Sequence, residues 1–148
     1  MRTAVFPGSF DPFTIGHKDI ADRALRMFDK LVIGIGYNIH KPGIAGMVED
    51  RVKAIQSIYA DDMRVEVEAY TGLTVNFAKR HGASFIVRGL REVKDFEYER
   101  NLADTNSAIS DIETVFLTAR PELGFISSSM VRELSANGYD VSKFLPCI

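Results

Sequence analysis

The sequence predicts an α/β fold: a doubly wound, five-stranded parallel sheet with helices on both faces. Two observations point there. Short β-branched and aromatic runs alternate with helical periodicity from one end of the chain to the other, and the segments with chemical potential fall directly after the strands. Strand–helix alternation builds parallel sheets covered on both sides, with right-handed crossovers. Ligands then bind beyond the carboxyl ends of the strands, where strand order reverses.

Thr3–Phe6 reads as the first strand, followed by the turn-rich segment from Pro7 to His17, in which Asp11-Pro12 reads as a turn. Ile20, Ala24 and Phe28 mark one face of the first helix. The second strand is Leu31–Tyr37, with Asn38-Ile39-His40-Lys41 after it. Val48, Val52, Ile55 and Tyr59 mark the second helix, and Arg64–Ala69 the third strand. Leu73 and Phe77 open the third helix, Ser84–Val87 is the fourth strand, and Arg88-Gly89-Leu90-Arg91 follows it. Phe96, Leu102 and Ile109 predict the apolar stripe of the fourth helix. Glu113–Leu117 is the fifth strand; Leu123–Ser129 leads into a last helix from Ser128 or Ser129 through Met130, Val131 and Leu134, stopping near Asn137-Gly138.

Composition narrows the function. The chain has 148 residues and no Pro/Gly/Ser linker or repeat, which predicts one domain over 1–148 with a core that needs no staples. A hydrophobic content of 46% against 26% charged residues excludes a disordered chain. A net charge of −2 supplies no field for nucleic acid. The single cysteine, Cys147, excludes an intrachain disulfide framework and a Cys-based zinc site, and suits a reducing cytoplasm. The apolar run Leu31–Tyr37 is too short to span a bilayer, and the N-terminus carries no signal-peptide core, so neither membrane nor export is expected.

The hydroxyl of Ser9, the imidazole of His17, the ammonium of Lys41 and the guanidinium groups of Arg88 and Arg91 can all donate to phosphate oxygens. Helix N-termini near His17 and Ser129 add free N–H groups. There is no P-loop, no Gly-x-Gly-x-x-Gly after the first strand, no Gly-x-Ser-x-Gly elbow and no Cys nucleophile. What remains is a phosphate-rich site suited to phosphoryl or nucleotidyl transfer, where positioning and charge stabilisation do most of the catalysis. Singly, each residue also has a plainer role. Lys41 can be a solvated loop charge, Arg88 and Arg91 surface ion pairs, Ser127–Ser129 helix caps, and Glu99 part of a solvated helix face. His40, His81 and Cys147 have no evident partners.

The segment Gly8-Ser9-Phe10-Asp11-Pro12-Phe13-Thr14-Ile15-Gly16-His17 resembles the opening signature of nucleotidyltransferases carrying a Thr/His-x-Gly-His motif, whose fold is Rossmann-like. With Val87-Arg88-Gly89-Leu90-Arg91, Asp95-Phe96-Glu97-Tyr98-Glu99 and Ile126-Ser127-Ser128-Ser129, the chain resembles the bacterial phosphopantetheine adenylyltransferase family over nearly its whole length. The resemblance implies transfer of the adenylyl group of ATP to 4′-phosphopantetheine, giving dephospho-coenzyme A and pyrophosphate. It also implies Mg2+, a homohexamer and inhibition by coenzyme A. It places His17, Lys41 and Arg91 in catalysis. Ser9, Lys41, Thr74 and Arg88 would hold the acceptor. Ser9, Phe10, His17, Gly89, Leu90, Arg91, Glu99, Leu123, Gly124, Phe125, Ile126, Ser127, Ser128 and Ser129 would surround ATP. No carboxylate pair stands at an obvious ligand spacing, so the metal is expected to ride on ATP and water. Thr74 departs from the family's usual Leu or Met, and Leu123-Gly124 from its usual aromatic–Ser pair. Two alternatives remain open from the residues: a related nucleotidyltransferase with another phosphate acceptor, and a silent nucleotide- or coenzyme A-binding module.

Overall fold

The computed structural model describes residues 1–40 and 44–147. In chain order it contains β1 (Thr3–Gly8), α1 (Ile15–Ala24), β2 (Lys30–Gly36), α2 (Ile44–Ile58), β3 (Val65–Tyr70), α3 (Thr74–Arg80), β4 (Phe85–Leu90), α4 (Val93–Ile109), β5 (Glu113–Thr118) and α5 (Ser128–Ala136). Short 3-10 turns cover Pro121–Leu123 and Ser142–Phe144. All strand pairs are parallel, in the order β3-β2-β1-β4-β5. This is the doubly wound arrangement expected from the alternation, with its reversal between β1 and β4.

The strands alternate their side chains between two apolar layers. Ala4, Phe6, Leu31, Ile33 and Val87 face a core completed by Ile20 and Ala24 of α1 and by Val48 and Ile55 of α2. Val5, Val32 and Ile86 face the opposite layer, completed by Val75, Phe77 and Ala78 of α3. Burial on both faces is why β1 and β2 read as nearly unbroken apolar runs.

Several boundaries differ from those expected. β1 runs on through Pro7 and Gly8, which pair with Gly34 and Ile35 of β2. β4 runs on through Arg88, Gly89 and Leu90, which pair with Phe116, Leu117 and Thr118 of β5. The Arg88–Leu90 segment is therefore the end of a strand and not the loop after it; a neighbouring strand supplies the ladder that Gly89 alone would not predict. α1 ends at Ala24, so Phe28 reaches the core from the turn beyond the helix. The stripe Phe96, Leu102 and Ile109 does not enter the core of this chain: these residues are 41%, 40% and 50% exposed. The buried residue of α4 is Glu99.

Candidate active site

β1 and β4 pair only through Ala4–Phe85 and Val5–Ile86, while each continues along its other neighbour. Past Val5 the two central strands splay, and the crevice of the strand-order reversal opens between them. Pro7, which has no N–H to give a ladder, stands in this splayed stretch.

His17 sits on the first turn of α1. Thr14 caps that helix: the His17 N–H donates to Thr14 Oγ1 at 3.3 Å, and the Thr14 N–H donates to His17 Nδ1 at 2.9 Å. This is a capping box with histidine in the place of the usual Glu or Gln. A ring nitrogen that accepts an N–H carries no proton, so the proton of the neutral ring lies on Nε2. Burial, reinforced by the charges of Arg91 and Arg88, pushes the His17 pKa down from 6.5 to about 4. The ring stacks on Phe13 and meets the edge of Phe10. At neutral pH His17 is therefore an uncharged, fixed N–H donor. Phe10 is itself buried, with φ +47°, a conformation that costs a non-glycine residue about 1–3 kcal/mol and clusters at functional sites. The adjoining Asp11-Pro12 turn has a cis peptide bond.

Arg88 leaves the end of β4 and spans the crevice. Its Nε and Nη2 donate to the two oxygens of Glu99, and Nη1 donates to the Pro7 carbonyl at 2.6 Å. Glu99 is 7% exposed, so the solvated-face alternative for this residue gives way to a buried bidentate ion pair. Three of the guanidinium's five N–H donors are used, which leaves two. Arg91 lies near Asp95, 3.7 Å between Nε and Oδ2, while Asp95 accepts from the Arg91 and Glu92 amides at the start of α4.

The start of α5 closes the other side. Ser127 caps the helix by accepting the Met130 N–H, so the cap role expected for this run is present. Ser128 donates to the Pro12 carbonyl at 2.7 Å and thereby ties α5 to the segment before α1. Arg132, which sequence inspection passed over, donates to the Asp11 carbonyl and to Ser129 Oγ. Its signal was present: it follows Ser128 by one helical turn, on the same face. Arg51 of α2 braces the loop from behind, donating to the Ser9 carbonyl at 2.6 Å.

Two cavities meet at this crevice. The first, about 330 Å³, is lined by Ser9, Phe10, His17, Gly89, Arg91, Leu123 and Ile126–Ser129 among the expected ATP residues, and also by Thr14, Asp95 and Arg132. The second, about 310 Å³, is lined by Thr74, Tyr98, Leu102, Asn106 and Thr114. Pro7, Gly8, Arg88 and Glu99 line both and form the wall between them. Leu90, Gly124 and Phe125 are not among the lining residues; Phe125 is exposed and meets the edge of Phe144. Lys41 lies outside the described residues. Thr74 donates to or accepts from the Tyr70 hydroxyl at 2.9 Å.

Among the described residues, one group of possible metal ligands stands together: Glu66 and Glu68 on β3, and His81 after α3. His81 thus has partners that the sequence did not show, Glu68 at 2.8 Å and Glu66 at 3.9 Å. Glu66 is also paired with Lys30, so that carboxylate already has a counter-charge. None of the three lines either cavity.

A family profile described as cytidylyltransferase-like matches residues 5–134. The phosphopantetheine adenylyltransferase of Phocaeicola vulgatus is 53% identical over 146 residues, covering 99% of this chain and 96% of that protein. That of Leuconostoc citreum is 52% identical over 147 residues, covering 99% and 92%. Among solved structures, a putative nicotinate-nucleotide adenylyltransferase from Vibrio parahaemolyticus superposes with a TM-score of 0.66 at 19% identity, covering 99% of this chain and 95% of that one. A bifunctional NMN adenylyltransferase/ADP ribose pyrophosphatase from Francisella tularensis, complexed with AMP and a manganese ion, gives 0.67 at 20% identity, covering 97% of this chain and 44% of that one. These two share the fold.

Proposed function

We propose, because the chain belongs to the phosphopantetheine adenylyltransferases of the cytidylyltransferase-like family, that it transfers the adenylyl group of ATP to 4′-phosphopantetheine by direct in-line attack. The observation that carries this mechanism is the shared wall: two cavities, one lined by the expected ATP residues and one by Thr74, meet at Arg88. A phosphate oxygen of the acceptor attacks the α-phosphorus of ATP. The new P–O bond forms as the bond to the bridging oxygen breaks, and pyrophosphate leaves with the electron pair. The second pKa of a phosphate monoester is about 6, so the acceptor is already largely a dianion and needs no base.

The residues divide the work. The His17 Nε2–H donates to the oxygens on which charge grows, without the proton bookkeeping of an imidazolium. Arg88 directs its two remaining N–H groups at the acceptor phosphate, with Lys41 as its companion. Arg91, Arg132 and the N–H groups at the start of α5 receive the polyphosphate, with Ser9, Phe10, Gly89, Glu99, Leu123 and Ile126–Ser129 around the nucleotide. The donor set fits Mg2+ delivered by ATP: Glu99 is committed to Arg88, and Asp95 Oδ2 to two amides, leaving Asp95 Oδ1 with ATP oxygens and water as ligands. Such an ion supplies charge neutralisation. The manganese in the Francisella structure supports a divalent metal in this fold.

The chain works as one nucleotidyltransferase domain in the cytoplasm; its one cysteine is a free thiol, and no helix among the described residues is long and apolar enough to cross a membrane. The exposed α4 side chains, including Val93 at 83% and Ile109 at 50%, support a homohexamer that covers them. Coenzyme A carries both the nucleotide and the pantetheine arm, so it inhibits by occupying both cavities. Pyrophosphate release measured with 4′-phosphopantetheine, nicotinamide mononucleotide and glycerol 3-phosphate tests the acceptor. Turnover with the first alone is expected, and faster turnover with either of the others overturns the assignment.

A further inference from the structure

From Pro7 to Pro12 the backbone carbonyls are taken by side chains of three other elements. Arg88 of β4 donates to Pro7, Arg51 of α2 to Ser9, Arg132 of α5 to Asp11 and Ser128 of α5 to Pro12. Arg88, Arg132 and Ser128 also line the first cavity, whereas Arg51 lines neither cavity. Its Nη1 reaches the Ser9 carbonyl at 2.6 Å, and its Nε turns back to the Met47 carbonyl of its own helix at 3.5 Å. The Ser9–Phe10 peptide bond is trans, so its carbonyl and its N–H point in opposite directions. With the carbonyl turned toward α2, the Phe10 N–H is turned away from α2, and it has no hydrogen-bond partner among the described residues. Ser9 and Phe10 line the first cavity and not the second. Phe10 holds φ at +47°, a region that residues with a side chain rarely occupy. Rotating the Ser9–Phe10 peptide plane would return φ to negative values, leave the Phe10 ring in the core and exchange the directions of carbonyl and N–H. A charge-assisted hydrogen bond from Arg51 to that carbonyl opposes the rotation.

We propose that Arg51 is a positioning residue for adenylyl transfer: it holds the Ser9 carbonyl toward α2 and so keeps the Phe10 N–H presented to the nucleotide phosphates in the first cavity. The proposal rests on ATP as the adenylyl donor. With the peptide plane rotated, a carbonyl oxygen would face the polyphosphate where a donor is needed, and an attraction would become a repulsion. The Arg51 bond lies at an exposed edge, where water can take the Ser9 carbonyl once the guanidinium is gone. Its loss therefore bears on the direction of one peptide and not on folding. Arg51 acts through that peptide and touches neither substrate.

Arg51→Met and Arg51→Lys separate this role from a structural one, since both replacements suit a helix and only lysine can still donate to the Ser9 carbonyl. In the Met variant kcat/KM for ATP falls about tenfold, the scale of one weakened hydrogen bond. KM for the acceptor stays in place and the melting temperature stays level. The Lys variant recovers at least half of the loss on a logarithmic scale. Four outcomes overturn the proposal: an unchanged kcat/KM for ATP in the Met variant, a parallel rise in KM for the acceptor, a Lys variant as slow as Met, or a loss that follows a lowered melting temperature or a failure to fold. Wild-type protein that transfers no adenylyl group to any of the three acceptors named above removes the proposed function and this inference together. Wild-type activity that the Met variant matches removes this inference alone.

Discussion

Exchanging His17 for Ala and for Gln separates the two jobs of one ring. The ring accepts the Thr14 N–H through Nδ1, so Ala removes half of a capping box and costs about 1 kcal/mol of stability. Gln at this third helical position is a natural capping-box partner and restores that bond. Neither replacement presents a ring N–H at the Nε2 position, so both lose the donor to the transition state. That loss is worth about 3–4 kcal/mol, a hundred- to thousandfold in kcat. The pH dependence supplies an independent check. The His17 pKa falls from 6.5 unfolded to about 4 folded, so the native state binds fewer protons than the unfolded chain between those values. The stability linked to this ring is complete above pH 6.5 and is lost as pH falls toward 4, about 3 kcal/mol in all. Thermal melts at pH 7.5 and pH 5 should show the Gln variant close to wild type at the higher pH and gaining on it at the lower. A kcat loss of tenfold or less in both variants, or a wild-type-to-Gln difference independent of pH, refutes the role given to His17.

Arg132→Gln should raise KM for ATP about tenfold or more while leaving KM for the acceptor in place, since its guanidinium lines only the first cavity; a change confined to the acceptor would reverse the two cavities. Glu99→Leu leaves Arg88 desolvated without its counter-ion and should destabilise the chain by about 2–3 kcal/mol, somewhat less than a fully buried pair because Arg88 keeps 28% exposure. Urea unfolding with added pyrophosphate should recover part of that loss. Gly34→Ala places a Cβ 2.5 Å from the Phe77 ring, which has no retreat because it stacks on Tyr70 at 4.2 Å, so a melting-temperature drop equivalent to about 1–3 kcal/mol is expected.

The five parallel strands and the helices on both faces could be anticipated because the code for them is local: apolar runs such as Leu31–Ile35 are legible residue by residue. The same locality explains the misplacements. Gly89 reads as the end of a strand, yet β5 keeps the ladder going, and its missing Cβ leaves room for Ile20 of α1, which a Cβ at this position would meet at 3.0 Å. The stripe on α4 predicts burial of Phe96 and Ile109, yet both stay exposed among the described residues, because helical spacing alone does not say which neighbour an apolar face meets. Glu99, Asp95 and Glu97 look alike on a helix; only the fold brings Arg88, eleven residues earlier on another element, against one of them.

The first cavity is less cationic than its arginines suggest. Among the described lining residues, Arg88, Arg91 and Arg132 face Glu99 and Asp95, and His17 is neutral, so the formal balance is only +1. Arg132 is the one guanidinium of the three whose hydrogen bonds go only to neutral groups, the Asp11 carbonyl and Ser129. Carboxylates that offset Arg88 and Arg91 lower the cost of holding these cations close together in the free protein, and they also temper attraction for any polyanion. Tight ground-state binding of ATP would lower KM without raising kcat, so a tempered site loses little by it. What survives the tempering is directional: a fixed Nε2–H, two residual N–H groups on Arg88 and the amides at the start of α5. Donors held in place by caps and ion pairs need no reorganisation when charge moves onto the reacting oxygens, which is where their stabilisation counts toward rate.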